Sequence, residues 1–247
     1  MKENHKVVNC IMIALLFASM LLIAREAAEY VTSKKAEGVN PNLVVIDAGH
    51  GADDAGKVGI NGALEKDINL VIALRVKELL EMQGVQVVLT REDDQGTFPK
   101  TGDNRKMRDM QKRVEYINKE RPALTVSIHQ NSYTDENVHG AQTFYYSGSE
   151  QGKLAAELLQ AQLVTTLDPE NHRQAKENGS YYLLKNVTYP IVIAECGFLS
   201  NGKEADLLCD AEYQEKVAWA IHLGILRYLN SNQKGMENTY EMDENPN

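Results

Sequence analysis

The chain has 247 residues, 43% of them hydrophobic, which is enough for one medium-sized domain with a sizeable core. Its formal net charge of −9 argues against a nucleic-acid partner, because nonspecific nucleic-acid binding requires a basic face. The three cysteines, Cys10, Cys196 and Cys209, are widely spaced and fit neither a disulfide framework nor a zinc knuckle. We expect Cys196 and Cys209 to be small buried residues without a chemical role.

The amino terminus predicts a membrane anchor. An uncharged apolar segment, Val7–Ala24, follows two lysines and is about 18 residues long, near the minimum for a membrane span. A signal peptide is cleaved after small residues, but Arg25 and Glu26 occupy the critical positions. We therefore favour an uncleaved anchor over residues 1–24, with a removed signal segment as the alternative, and expect the rest of the chain to be translocated. The polar residues 25–41 are predicted to form a stalk.

Three predicted strands end in side chains that can bind a metal or move protons. The apolar run Leu43–Ile46 is typical of a buried parallel strand, and it breaks into a glycine-containing turn that carries His50. His129 follows a second apolar run, and Glu195 follows a third. Because open α/β sheets place their sites at the carboxyl ends of the strands, we expect these side chains to meet there.

Residues 42–230 alternate between strand and helix patterns, which predicts a single α/β domain with a doubly wound, mostly parallel, twisted sheet flanked by helices. Four helices are predicted from helical spacing of apolar residues, beginning near Glu65, Lys106 and Leu154, with the last one ending near Asn230. Further strands are predicted at Val85–Thr90, at Gly140–Tyr146, as an edge strand, and at Tyr181–Leu184. Residues 231–247 lack apolar periodicity and are predicted to be a disordered acidic tail.

Two histidines and a glutamate form a three-ligand catalytic zinc set that leaves a fourth position open. His50 and His129 supply the histidines, and Glu65, just before a helical pattern, is the carboxylate that completes the set. Glu65 on its own also fits a structural role, as a carboxylate favoured at a helix amino terminus. Glu195 is harder to explain structurally, because a charge after a strand buried on both faces needs compensation. It is left free to accept and donate a proton during amide hydrolysis.

The other four histidines are predicted to be structural: His5, His139, His172 and His222. His222 falls in the closing helix, where we expect a surface position.

Four segments, in this order, resemble the zinc-dependent N-acetylmuramoyl-L-alanine amidases of the Amidase_3 family: Val45–Gly51, Leu64–Asp67, Ser127–Asn131 and Glu195–Asn201. Two more, Gly140–Tyr146 and Asn186–Thr188, are similar to the germination-specific, spore-cortex amidases of endospore-forming bacteria. The resemblance covers about Leu43 to Leu229. Ala48 and Cys196 stand where the family commonly has Pro and Val, and neither position is a ligand.

The resemblance implies that His50, Glu65 and His129 bind Zn²⁺ and that Glu195 is catalytic. It gives no substrate-binding residue. The implied substrate is peptidoglycan, cleaved between the lactyl group of N-acetylmuramic acid and L-alanine. In spore cortex this step precedes the formation of muramic-δ-lactam.

The resemblance also sets expectations for location and partners. The enzyme is expected outside the cytoplasm, anchored in the membrane or secreted, and facing the cortex in a spore-former. An accessory extracytoplasmic protein is a further partner that the resemblance allows. Some family members carry a helix that blocks the zinc, but the segments after His129 and Tyr146 are too short for one. We therefore expect an open groove.

Three alternative functions fit the sequence less well. A zinc carboxypeptidase has a His-x-x-Glu spacing, whereas His50 and Glu65 are far apart. A catalytically silent wall-binding module is expected to have lost Glu195 or a ligand. A nucleotide-binding loop requires Gly-Lys-Ser/Thr, which the glycine-rich segment Gly56–Gly62 lacks.

Overall fold

The computed structural model describes Met12, Phe17, Ser19, Met20 and residues 38–94 and 105–243, with side chains as far as Asn232. Its contacts divide the chain into two units, Met1–Val39 and Asn40–Asn247, and the second unit contains the sheet. The predicted anchor and stalk, residues 1–41, lie outside the described residues except for those first four and residues 38–41. Within the described ranges, no helix has the length and apolar character that crossing a membrane requires.

The second unit is built on a six-stranded sheet. Its strands are β1 (Asn40–Ala48), β2 (Gln86–Leu89), β3 (Pro122–Asn131), β4 (Gln142–Tyr145), β5 (Lys176–Glu177) and β6 (Ile191–Phe198). Their order across the sheet is β2-β1-β3-β6-β4-β5. Only β4 and β6 pair in the antiparallel sense, and the other pairs are parallel. The predicted α/β class with a mostly parallel sheet is confirmed.

Helices cover both faces of the sheet. They are α1 (Glu65–Glu81), α2 (Arg105–Glu120), α3 (Glu150–Leu167), α4 (Tyr182–Asn186), α5 (Gly202–Cys209) and α6 (Ala211–Asp243). On one face α1 and α3 pack against α6, and on the other α2 packs with α4. Val45 of β1 faces the α2–α4 side, where it clusters with Ile117 and Leu184. Successive side chains of a strand point to opposite faces, so Val44 and Ile46 face the other side of the sheet. They are fully buried as well, because helices also cover that face.

Two predictions near the far edge of the sheet are corrected by the structure. The predicted strand at Tyr181–Leu184 is helical, because a short apolar run can be either a strand or a buried helical turn. Leu183 and Leu184 of this helix are buried in the core. The predicted edge strand, β4, is not at the edge, since the two-residue β5 covers it. The sequence did not predict β5 or α5.

The closing helix is longer than predicted. It continues past Asn230 to Asp243, so the expected disordered tail is helical over most of its length. An existing helix extends at little cost, and no proline interrupts this one before Pro246. Residues 244–247 lie outside the described residues.

Two predictions of burial were wrong. His222 is buried, with 2% of its surface exposed, because α6 packs against both α1 and α3 and little of it faces solvent. Cys209, at the end of the short helix α5, is exposed. Cys196, in the middle of β6, is buried as predicted.

Candidate metal and catalytic site

The turn after β1 brings two histidines together. His50 has a backbone φ of 63°, in the left-handed region that non-glycine residues rarely adopt. Its ring lies 5.0 Å from the ring of His129, at the end of β3, measured between centroids. Gly49 permits this approach, since a Cβ at that position would lie 2.3 Å from Cε1 of His129.

Glu65 lies between the two histidines at the start of α1, and only 2% of its surface is exposed. Its Oε2 is 3.2 Å from Nε2 of His50, and its Oε1 is 2.9 Å from Nδ1 of His129. The backbone N–H groups of Lys57 and Gln130 also donate to this carboxylate. Burial raises the pKa of Glu65, but the hydrogen bonds from His129 and His50 outweigh it and hold the pKa far below its usual range. The carboxylate is therefore ionised.

His50, Glu65 and His129 have the geometry of a metal site. One ligand atom from each lies within 4.8 Å of the others. Two imidazoles and a carboxylate suit zinc, and three ligands leave a position open for water or substrate. The second nitrogen of His50 lies 2.9 Å from Oδ2 of Asp54, and carboxylates commonly orient metal-binding histidines in this way. The residues present therefore fit a zinc ion.

Glu195 is the fourth predicted site residue, and it reaches the same place from β6. It lies opposite His129 in the pairing of β3 with β6. Its side chain is 9% exposed, and its Oε2 has no hydrogen-bond partner among the described residues. Burial raises the pKa of Glu195 to about 7; the neighbouring His129 opposes this rise and the charge of Glu65 adds to it. A carboxyl group with this pKa can both accept and donate a proton near neutral pH.

The four side chains open into a cleft with a cavity of about 370 Å³. Lys57, Lys106, Asn131, Ser132 and Tyr181 also line it. No helix interrupts residues 132–141, between β3 and β4, and the short connection after β4 has none either. Nothing from these segments blocks the site, as the expected open groove requires.

A buried ionic network that was not predicted from the sequence lies beneath the site. Asp47 is fully buried and accepts hydrogen bonds from Arg113, Thr90 and Ser127 at 2.6, 2.6 and 2.5 Å. Arg113 also donates to the carbonyl of His50. Asp47 follows an apolar run as Glu195 does, so the rule that a buried charge needs a partner could have identified it. Arg113 could not be identified in the same way, because it lies on a largely polar helix where one more arginine does not stand out.

The fold and the site together define the class of protein. An open, mostly parallel α/β sheet carries two histidines and two acidic groups at one cleft, with the ligand number of a catalytic metal site. The arrangement is that of a metal-dependent hydrolase.

The chain belongs to the Amidase_3 family of N-acetylmuramoyl-L-alanine amidases, whose pattern matches residues 44–227. It is therefore an amide hydrolase of this kind, and the predicted enzyme class and fold are confirmed.

Comparison with individual proteins gives the same result. The chain is 41% identical over 190 residues to the germination-specific N-acetylmuramoyl-L-alanine amidase of Bacillus subtilis, covering 76% of this chain and 79% of that one. It is 30% identical over 247 residues to the amidase AmiA of Escherichia coli, covering 82% and 81% of the two chains. Among solved structures, the CwlD amidase from Clostridioides difficile, in complex with the GerS lipoprotein, is similar with a TM-score of 0.74 and 40% identity. That match covers 76% of this chain and 98% of the other.

Proposed function

We propose that this amidase works with one zinc ion held by His50, Glu65 and His129, and that Glu195 moves the protons. The observation that carries the proposal is the different state of the two glutamates. Glu65 is bonded to both histidines, whereas Glu195 lies beside them with a buried oxygen that has no partner among the described residues. When bound, zinc activates water and polarises the carbonyl of the amide.

Glu195 supplies the acid–base chemistry. With a pKa of about 7, a large fraction of its carboxyl groups is ionised at neutral pH and can take a proton from the attacking water. The protonated carboxyl can then give that proton to the leaving amine. Asp54 and Arg113 do not contact the amide that is cleaved. They position His50, because Asp54 bonds to its ring and Arg113 donates to its backbone carbonyl.

The proposed bond is the amide between N-acetylmuramic acid and L-alanine in spore-cortex peptidoglycan. The support for cortex is the similarity to the germination-specific amidase of Bacillus subtilis and to the CwlD amidase. Removal of the stem peptide there would precede the formation of muramic-δ-lactam. The test is to digest purified peptidoglycan with the wild-type chain and with Glu195→Gln, and to quantify new L-alanine amino termini. The wild type should release them and the variant should not.

We further propose that residues 1–24 are an uncleaved membrane anchor that places the domain outside the cytoplasm. The support is the uncharged apolar segment Val7–Ala24, followed by Arg25 and Glu26 where a cleavage site needs small residues. The full-length chain should stay in the membrane fraction and be accessible to external protease. A soluble mature chain beginning near Ala28 would show a signal peptide instead.

An accessory extracytoplasmic protein is proposed as a partner. The support is the CwlD structure, in which the similar amidase is bound to the GerS lipoprotein. Zinc content and activity of the chain purified alone should then be lower than those of the chain purified from its native envelope. Equal values in the two preparations would argue against the partner.

A further inference from the structure

Arg91 is a buried guanidinium that donates its hydrogen bonds to backbone carbonyls. It follows the end of β2, and only 4% of its surface is exposed. Among the described residues its acceptors are all backbone carbonyl oxygens: Ala48 at 3.0 Å, Gly49 at 3.1 Å, Lys66 at 2.6 Å and Asp93 at 3.2 Å. The charges of Asp47, Asp67 and Asp94 act on it only from a distance, without a hydrogen bond to it. A buried charge is costly, so its retention calls for an explanation.

Two of these carbonyls belong to the segments that carry the proposed metal ligands. Gly49 directly precedes His50, and Lys66 directly follows Glu65. A single nitrogen, Nη2 of Arg91, donates to both carbonyls. One planar group therefore joins the turn after β1 to the first turn of α1.

The turn that Arg91 holds is strained. His50 and Ala52 both have positive φ, at 63° and 51°, although neither is a glycine. Such residues persist only where the surroundings determine their conformation. The Arg91 side chain packs along this turn, since a Cβ on Gly51 would lie 3.0 Å from its Cδ.

We propose that Arg91 is a positioning residue for the metal site, which fixes the separation of His50 and Glu65 by bonding to the backbone on both sides of the gap between them. The inference rests on the proposed zinc ligands. Arginine suits this role because its fork donates in several fixed directions, and a lysine cannot reproduce that geometry. A purely structural role predicts a different outcome, in which stability falls but metal affinity does not.

The test compares metal affinity with stability in the full chain. Arg91→Met removes the donors and keeps much of the side-chain length. Leu163→Ala is the matched control, because Leu163 is fully buried in α3 and takes no part in the site. The measurements are the zinc dissociation constant by chelator competition, the absorption spectrum of the Co²⁺-loaded chain and the melting temperature of the metal-free chain.

Arg91→Met should weaken zinc binding by about 10- to 100-fold, the range typical when a group that orients the metal ligands is lost. It should also alter the Co²⁺ spectrum. Leu163→Ala should lower the melting temperature and leave the zinc constant and the Co²⁺ spectrum unchanged. Wild-type zinc affinity in Arg91→Met, or an equal loss of affinity in Leu163→Ala, overturns the inference.

Arg91→Lys keeps the comparison decisive if Arg91→Met does not fold. Lysine retains the charge but cannot span the carbonyls of Ala48, Gly49 and Lys66, so zinc affinity should still fall. Wild-type affinity and spectrum in Arg91→Lys overturn the inference. If the wild-type chain itself binds no zinc, the proposed ligand set fails together with it. If the wild type binds zinc and the Arg91 variants bind it equally well, the ligand set stands and only the role proposed for Arg91 is wrong.

Discussion

His129 and Glu195 are directly opposite each other in the parallel pairing of β3 with β6. Their side chains therefore emerge together at the carboxyl end of the sheet. Even so, His129 is hydrogen-bonded to Glu65, with 2.9 Å between Nδ1 and Oε1. Oε2 of Glu195 has no hydrogen-bond partner in the described part of the chain. The two glutamates of the site are thus in different chemical environments, which implies different roles.

Glu195→Gln should abolish most activity without removing the metal. Glutamine keeps the size of the side chain but cannot accept a proton from water. A general acid–base group typically contributes about 10²–10⁴-fold, so the rate of release of L-alanine termini should fall by a factor in that range. Zinc content by elemental analysis and the melting temperature should match the wild type. Full activity in this variant would assign proton transfer to another group.

Glu65→Gln should behave differently and lose zinc as well as activity. The ionised carboxylate touches both histidines, and its loss removes a charged ligand from the proposed set. Zinc stoichiometry after dialysis is the measurement, with Glu195→Gln as the matched control. Retention of zinc by Glu65→Gln together with loss of zinc from Glu195→Gln would exchange the two roles.

Gly49→Ala should disrupt the site through crowding alone. The added Cβ would lie 2.3 Å from Cε1 of His129, so the imidazole has to move. Zinc binding and activity should both fall sharply. Gly202→Ala is the control, because a Cβ there meets nothing within 4 Å, and it should leave both properties unchanged. Wild-type zinc affinity in Gly49→Ala would mean that His129 is not held where the structure places it.

The buried ion pair of Asp47 and Arg113 should make stability depend on acid pH. Burial raises the pKa of Asp47, but the charge of Arg113 and the hydrogen bonds from Ser127 and Thr90 lower it by more. The net effect is a pKa of about 2, below the ordinary value of 3.8. Because the folded pKa lies below the unfolded one, this contribution is fully present above pH 3.8 and is lost as the pH falls towards 2.

Asp47→Asn tests this directly. At neutral pH it should lower the free energy of unfolding by about 3–5 kcal/mol, since it removes the buried charge that faces Arg113 and leaves only the more exposed Asp109. Between pH 4 and 2 its stability should fall less steeply than that of the wild type. Denaturant unfolding across this range is the measurement, and parallel pH profiles for the two proteins would contradict the assignment.

The elements that have a strong local pattern were predictable from the sequence, and so were the polar residues that follow their apolar runs. His50, His129 and Glu195 were found because each follows an apolar run, and the structure brings them together with Glu65. They were expected to end their strands, but β3 continues past His129 to Asn131 and β6 past Glu195 to Phe198. The short helix at Tyr182–Asn186 was predicted as a strand because its apolar run shows no periodicity. The strand β5 was missed because two residues are too few to show a pattern.

The support beneath the site could not be predicted in the same way. Arg91 and Arg113 bond to carbonyl groups of the turn after β1, across sequence separations that no local pattern encodes. His222 was misplaced for a related reason, because the burial of α6 depends on which helices pack around it.

The most direct test of the account is the release of L-alanine amino termini from purified cortex peptidoglycan by the full chain, with and without its zinc. The account predicts that the zinc-loaded chain frees these termini, that a chelator stops the reaction, and that about one equivalent of zinc per chain restores it. His50→Ala should remain inactive after the same addition. Equal release of L-alanine termini by the chelated chain, or by His50→Ala, would contradict the proposed zinc mechanism.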